Sequence, residues 1–390
     1  MNEPFPMAAI MRTATIAGAV PSMGMRLPLV SVILTAHNYG RFLEASIGSV
    51  FGQSYLDVEC IVVDDGSSDE TPRVLAAAAQ TAGAALTAIR NERPLGQGAT
   101  SRIGFEASRG QYVVFMDADD LLDPDFVRDH IFVHLSSRMP VGVSTSDIYQ
   151  AVDNRIVVAT NEAFANAVLR TPPQPDLFRP LATQPIGPWL FDGPETAILG
   201  DVRLIPPGQT EWQWSPMTAN MFRRDALDLL IGPELDGLRL STDVYLCTGA
   251  GVLCGSVLID KPLSYYRIHG ENCGTYQAQL TNMRAVRAES ELSRRAKEQL
   301  VERFTGAAPE ICARLWRPEP LLTALRALET DLAQCGAPSF VAECLKRHQA
   351  AMASAVGDKK LDAWNARRAF ARRFRWSRRP ASNGVKEPRQ

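Results

Sequence analysis

An alternation of buried-type strands with helical segments most restricts what this chain can fold into. LVSVILTA (29–36), CIVVDD (60–65), LTAIRN (86–91) and QYVVFMD (111–117) are short apolar runs rich in β-branched residues. Helical spacing lies between them: Leu43, Ile47, Val50 and Phe51 after the first run, and Asp69 to Ala82, with Ser68 or Asp69 as N-cap, after the second. After the third, a glycine-bearing loop (Gly96, Gly98) leads into a helix ending near Gly110. Continuous apolar runs fit strands covered on both faces. Their alternation with helices specifies an α/β domain with a mostly parallel sheet. In such sheets the crossovers are right-handed and ligands bind beyond the carboxyl ends of the strands.

Those ends carry the chemistry. TAHN (35–38) ends the first strand, DDGSSDET (64–71) extends from the second and DADD (117–120) from the fourth, so Thr35, Asp65 and Asp119 converge on one crevice. Carboxylates there are hard ligands suited to Mg²⁺ or Mn²⁺, an ion usually held by one or two carboxylates and substrate phosphates. An acidic side chain after a strand can also bond a nucleoside. Taken singly, each cluster equally reads as helix capping, with Gly66 turning the chain and Pro124 in the first turn of the next helix. His130 and His134 are at i, i+4 spacing but lack the glutamate of HExxH, and read as one helix face.

The set is more specific than its parts. TAHNYGRFLEASIGSVFGQSY, then DDGSSDET, then QYVVFMDADD, in this order and spacing, resemble an inverting family 2 glycosyltransferase. STDVYL (241–246) and KPLSYYRIHGEN (261–272) resemble that family's later segments, so the resemblance covers about 29–275. It implies an α/β chain of GT-A (nucleotide-diphospho-sugar transferase) fold, with a mostly parallel central sheet. It further implies that Thr35 and Asp65 hold the nucleotide base, with His37, Asn38 and Asp64 lining its pocket. Asp117 would face the ribose or metal, Asp119 would ligate the ion bridging the donor's diphosphate, and Asp243 would be the catalytic base. His269 is a candidate added metal or diphosphate ligand. The implied cofactors are Mg²⁺ or Mn²⁺ and a nucleotide-sugar, UDP-linked, and the implied partner is a glycan, lipid-linked or other hydroxyl acceptor in polysaccharide or glycoconjugate biosynthesis.

Three departures bear on this. The base commonly follows a Glu in the family, whereas Thr242 precedes Asp243; an acidic neighbour raises a carboxyl pKa, so its loss lowers it. The Ala-Arg-Asn after the glycine loop maps onto Thr100-Ser101-Arg102, which moves the arginine, a donor-binding candidate, by one position. The first two leave open a catalytically inactive, nucleotide-binding member of the same fold. The Gln-x-x-Arg-Trp of processive synthases is missing, and RFRW near 375 lacks the glutamine, which points to transfer of a single sugar. A sugar nucleotidylyltransferase would need a glycine-rich phosphate loop with a basic residue directly after the first strand, and TAHNYG does not supply one.

The remaining organisation is coarser. Residues 1–28 read as a flexible leader, too acidic at Glu3 and too interrupted at Pro21 and Gly24 for a secretory signal. The resemblance implies that residues 29–150 are the nucleotide-sugar half and 151–275 the acceptor half with the base. Within the latter, 171–216 is proline-rich and reads as a long irregular segment, whose Trp189, Trp212 and Trp214 either stack on acceptor sugars or pack in the core. Residues 217–230 read as a strand running into a helix. Residues 276–357 are a C-terminal helical region with Leu321, Leu325, Leu328 and Leu332 in register. From Lys359 to 390 the tail carries a charge of +9, leaving −11 for the rest of a chain whose formal net charge is −2. Interleaved with Trp364, Phe370, Phe374 and Trp376, that tail suits peripheral contact with an anionic membrane; the alternative is a solvated, partly disordered end. The near-neutral balance and 46% hydrophobic content argue against a disordered chain or bulk nucleic-acid binding, and no apolar stretch approaches a spanning helix. Seven cysteines without CxxC spacing read as buried thiols of a reducing compartment, which places the chain in the cytoplasm.

Overall fold

A computed structural model describes residues 27–178, 201–272, 278 and 287–376. Among the described residues, ten strands form one sheet: β1 (Val30–Ala36), β2 (Val58–Asp64), β3 (Leu86–Arg90), β4 (Tyr112–Asp117), β5 (Leu121–Leu122), β6 (Val143–Val152), β7 (Arg155–Val158), β8 (Val202–Ile205), β9 (Asn220–Arg223) and β10 (Ser256–Ile268). Their order is β3-β2-β1-β4-β9-β6-β10-β5, with β7 on β6 and β8 on β10. The first four are parallel, β9 runs against β4 and β6, and β10 is again parallel to β6. Each apolar run of the sequence is thus a strand of the parallel half.

The helices between them are α1 (Gly40–Phe51), α2 (Thr71–Ala82) and α3 (Gln97–Ala107), followed by α4 (Phe126–Ser136). Val30, Val32, Ile33 and Leu34 are fully buried because helices cover both faces of β1. α2 begins at Thr71 with Glu70 as its N-cap, so neither Ser68 nor Asp69 caps it as expected; Asp69 lies just ahead, where Oδ1 accepts from the Thr71 amide (2.9 Å) and Oδ2 from the Gly40 amide at the start of α1 (3.0 Å). Pro124 stands two residues ahead of α4, not in its first turn, and its carbonyl accepts from the Ser54 amide.

The 171–216 stretch is not wholly irregular. Residues 202–205 are β8, paired antiparallel with β10, and Pro206 and Pro207 then stop the strand. Residues 179–200, with Trp189, lie outside the described residues, as do most of the 1–28 leader, Cys273 and 377–390. Residues 220–230 are a strand running into a helix, as read from the sequence.

From Arg287 to Trp376 the chain is helical. Leu321, Leu325, Leu328 and Leu332 are fully buried in one core with Val244, Tyr245 and Leu246 of the helix Thr242–Cys254. The C-terminal helices therefore brace the element that carries Asp243. The tail begins as the helix Asp358–Trp376, and this part is docked: buried Arg368 grips Glu329 with two bonds and lies 4.6 Å over the Trp364 ring. Among the described cysteines, Cys60, Cys247, Cys312 and Cys344 are buried and Cys254 half-buried, but Cys335 is exposed, contrary to expectation. Among the described residues no helix is long and apolar enough to cross a membrane.

Candidate active site

Strand register brings the polar strand ends together. Thr35 pairs with Asp117 and with Val63, and Ala36 pairs with Asp64. Adjacent strands lie ~4.8 Å apart, so three strand ends share one rim. Asp64 is buried; its Oδ1 accepts from the Ser67 amide (2.9 Å) and its Oδ2 is 3.3 Å from Arg90 Nε. Asn38 turns through φ +59°, a region Asn tolerates, and stitches two loops. Its amide donates to Ser67 Oγ (2.9 Å) and its Oδ1 accepts from the Ser68 amide (2.8 Å). His37 Nδ1 faces the Asp65 carbonyl at 2.8 Å; a carbonyl only accepts, so Nδ1 carries the proton.

Asp65 is the anchor of the glycine loop. Its Oδ1 accepts from Asn91 Nδ2 and the Leu95 amide (2.8 Å each), and its Oδ2 from the Gly96 amide (2.9 Å). Burial pushes its carboxyl up, but the Leu95, Asn91 and Gly96 donors outweigh it and hold the pKa below the usual range. Gly96 needs φ +99°, which a side chain would strain.

The DADD turn is the acidic centre. Asp117 accepts from Gln97 Nε2 (3.1 Å) and its amide donates to Thr218 Oγ1 (3.2 Å). Burial, then the neighbouring charges of Asp119 and Asp243, push its carboxyl up to about 7 against the Gln97 bond. Asp120 is buried beneath, bonded by the Thr218 hydroxyl (2.6 Å) and the Arg267 amide (3.2 Å), and burial with Asp119 and Asp117 raises its pKa well above normal. Asp119 Oδ2 lies 3.1 Å from His269 Nε2 and 3.4 Å from Asn272 Nδ2. The Glu271 amide donates to His269 Nδ1 (3.2 Å), so Nε2 bears the proton and donates to Asp119. Arg267 underpins the turn: Nε donates to the Asp119 carbonyl and Nη2 to Ser46 Oγ (2.9 Å), with the guanidinium 4.9 Å over the Phe42 ring.

Asp243 enters from the other side of the crevice. It is the second residue of the helix Thr242–Cys254, which begins directly after Ser241 at φ +65°. Gln97 spans the gap: one end bonds Asp117, and its Oε1 accepts from the Thr242 amide at 3.4 Å. Asp119 and Asp243 are thus close enough to Asp117 to add to the rise that burial gives its proton affinity. Arg102 is turned elsewhere: its fork grips Asp236 (2.7 and 2.8 Å) and its third nitrogen Glu106 (2.7 Å), away from the acidic centre. Trp214 is fully buried, with Nε1 donating to Ser256 Oγ (3.0 Å), and half-buried Trp212 packs edge-on against it, so core packing accounts for this pair. His130 and His134 are buried on one helix face and share the Ser144 hydroxyl (2.7 and 2.9 Å); burial holds both neutral.

A divalent cation fits this donor set in a particular way. Among the described residues no group of three or more His, Cys, Asp or Glu forms a ready cage. Two crowded carboxylates, Asp117 and Asp119, instead offer the partial ligation that a substrate diphosphate completes. Sequence reasoning passed over Gln97, Thr218, Arg267 and Asn272. Arg267 and Asn272 lie inside the YRIHGEN stretch that pointed to His269; Gln97 and Thr218 carry no local signal.

Residues 31–184 match the family model for glycosyl transferase family 2. An uncharacterized glycosyltransferase of Nostoc sp. is 27% identical over 67% of this chain and 71% of its own length. The succinoglycan biosynthesis protein ExoO of Rhizobium meliloti is 30% identical over 38% of this chain and 40% of its own. Among solved structures, S. aureus TarS 1–349 in complex with UDP-GlcNAc is 16% identical, with 90% of this chain and 92% of that chain covered at a TM-score of 0.46.

Proposed function

We propose, since the chain belongs to the family 2 glycosyltransferases of GT-A fold, that it moves a single sugar from a UDP-sugar to an acceptor hydroxyl with inversion. The observation that carries this reading is the meeting of Asp117, Asp119 and Asp243 across one crevice, where Asp117 is pushed up to about 7 by burial and its acidic neighbours. Such crowding suits a site built to take a cation and a proton.

The chemistry divides between the two sides. Thr35 and Asp65 hold the base, with His37, Asn38 and Asp64 around it, and the loop gripped by Asp65 closes the pocket. Asp243 removes the proton from the acceptor hydroxyl while its oxygen bonds the anomeric carbon, and the bond from that carbon to the diphosphate breaks with its electron pair leaving on the nucleoside diphosphate. A single displacement inverts the centre. Mg²⁺ or Mn²⁺, when bound, would be held by Asp119 with Asp117 and would supply charge neutralisation for the departing diphosphate; His269, whose Nδ1 accepts and whose Nε2 donates, would orient Asp119 and not ligate the ion. Arg267 and Asn272 keep the Asp119 carboxylate aimed, and Gln97 keeps Asp117 in register with the helix bearing Asp243.

The free thiols suit a reducing cytoplasm. Exposed Lys359 and Arg367, with the basic residues beyond, support a peripheral contact with anionic membrane. Truncation after Trp376 leaves the Arg368–Glu329 pair intact and is expected to weaken binding to phosphatidylserine vesicles; undiminished binding refutes the contact.

Calorimetric titration with UDP, GDP and dTDP, with and without Mn²⁺, tests the donor site. Metal-dependent binding of UDP is expected, with loss in Asp119→Ala. Folded protein that binds none of the three refutes the reading.

A further inference from the structure

A groove of about 590 Å³ opens beside the segment that leads to Asp243. One wall is Leu95, at the end of the loop held by Asp65. The floor is the turn 236–240, and the far wall is the helix Arg287–Gly306, through Leu292 and Arg295. The volume is that of an ordinary small-molecule site, which spans ~300–1,000 Å³.

Its charge is lopsided. The acidic member of the lining, Asp236, is already neutralised by the two-bond grip of Arg102. On the helix, Arg294 pairs with Glu291 and Glu298, and Lys297 with Asp331. Arg239 and Arg295 are exposed and have no ion pair or side-chain hydrogen bond among the described residues. Two guanidiniums over Leu95, Leu238, Leu240 and Leu292 match a ligand with an anionic group on a carbon frame, because the guanidinium fork accepts phosphate or carboxylate edge-on.

Its position says which substrate. Leu240 is three residues before Asp243, so their Cα atoms are at most about 11 Å apart. The turn is also fixed to α3: the Gln97 amide donates to the Arg239 carbonyl (3.2 Å) and the Gly98 amide to the Leu238 carbonyl (2.9 Å). None of the strand-end residues Thr35, Asp65 or Asp117 lines the groove, so it lies beside the nucleotide site and not in it.

We infer that this groove is the acceptor subsite and that the acceptor bears a phosphate or carboxylate next to the hydroxyl presented to Asp243. This rests on the transferase reading above. Both guanidiniums are solvent-accessible, so the attraction weakens as salt rises.

The test uses the full chain with Mn²⁺ and three probes in calorimetry: tri-galacturonate, a glycerol-phosphate trimer and neutral maltotriose. One anionic probe is expected to bind and maltotriose not. The double variant Arg239→Gln/Arg295→Gln is expected to weaken the anion at least about tenfold while UDP binds as before. The anion that binds separates carboxylate from phosphate. Anion binding unchanged in the double variant overturns the inference, as does maltotriose binding as well as the anions, or UDP binding lost with the arginines. A protein that binds UDP but no anion also refutes the groove, whereas one that binds the anion but no nucleotide keeps the groove and refutes the transferase reading.

Discussion

Replacing Gly98 with alanine tests the coupling between the donor loop and the helix bearing Asp243. A Cβ at this position would overlap the Leu235 carbonyl oxygen and stand 2.8 Å from the Leu238 carbonyl oxygen, 0.6 Å inside the 3.4 Å of ordinary contact. Both obstacles are backbone, so neither can rotate aside. The overlap with the Leu235 carbonyl is the deeper of the two, so the start of α3 and the turn 235–238 must move apart by about an ångström or more, and the Gly98–Leu238 hydrogen bond lengthens with them. Overpacking of this kind costs ~1–3 kcal/mol, and the better helix propensity of alanine returns up to ~1 kcal/mol, so global stability falls modestly. Function suffers more. Gln97, one residue away, loses its reach between Asp117 and the Thr242 amide, which is already long at 3.4 Å. Misplacement of ~1 Å can cost ~100-fold in rate, so a shift of this size is expected to lower kcat by ~10- to ~100-fold. The assay is release of nucleoside diphosphate from the nucleotide-sugar that the parent turns over, beside calorimetry of UDP binding, which is expected to hold. Full turnover by a folded Gly98→Ala protein refutes the claim that α3 positions the base.

Further perturbations probe the scaffold. Asp147 accepts from the Ile148 and Asn161 amides (2.9 and 3.1 Å), yet burial pushes its carboxyl from 3.8 up to about 6. The folded form then holds the proton more tightly than the unfolded form. Stability present below about pH 4 is lost as pH rises through 6, by ~3 kcal/mol. Asp147→Asn is accordingly expected to stabilise at pH 7 and to do nothing near pH 4 in urea titrations. Arg368→Met strands Glu329, only 9% exposed, and is expected to cost ~3–5 kcal/mol in denaturant unfolding, most of it recovered by adding Glu329→Leu. Cys335 is exposed, so Cys335→Ser is expected to remove a fast-reacting thiol from native protein treated with an aromatic disulfide reagent.

The parallel half of the sheet was legible because its signal is local. Val30–Ala36 or Tyr112–Asp117 needs only its own apolar run to declare a buried strand, whereas the sequence pattern starts α2 two positions early. The acidic strand ends followed, since a fold of this class puts them on one rim. The edges did not: β5 has two residues and β8 four, too short for any period to show, and β8 exists because β10 offers it a partner. Arg102 was a donor candidate only through the family's Ala-Arg-Asn, already shifted by one position, and Asp236, 134 positions later in the chain, holds it instead.

What the sequence determined by itself, then, is the series of strands and helices through 29–117, and the residue types Thr35, Asp65, Asp117 and Asp119 at or just beyond the strand ends, because hydrophobic period and turn chemistry act over a few neighbouring residues. Which groups those residues face was decided by the tertiary structure alone. Arg267 beneath the Asp119 turn lies 148 positions away, Thr218 on Asp120 lies 98, and Gln97 reaches a Thr242 amide 145 residues on. Such contacts follow from where packing brings distant segments together, and a local pattern carries no record of a neighbour that only folding supplies.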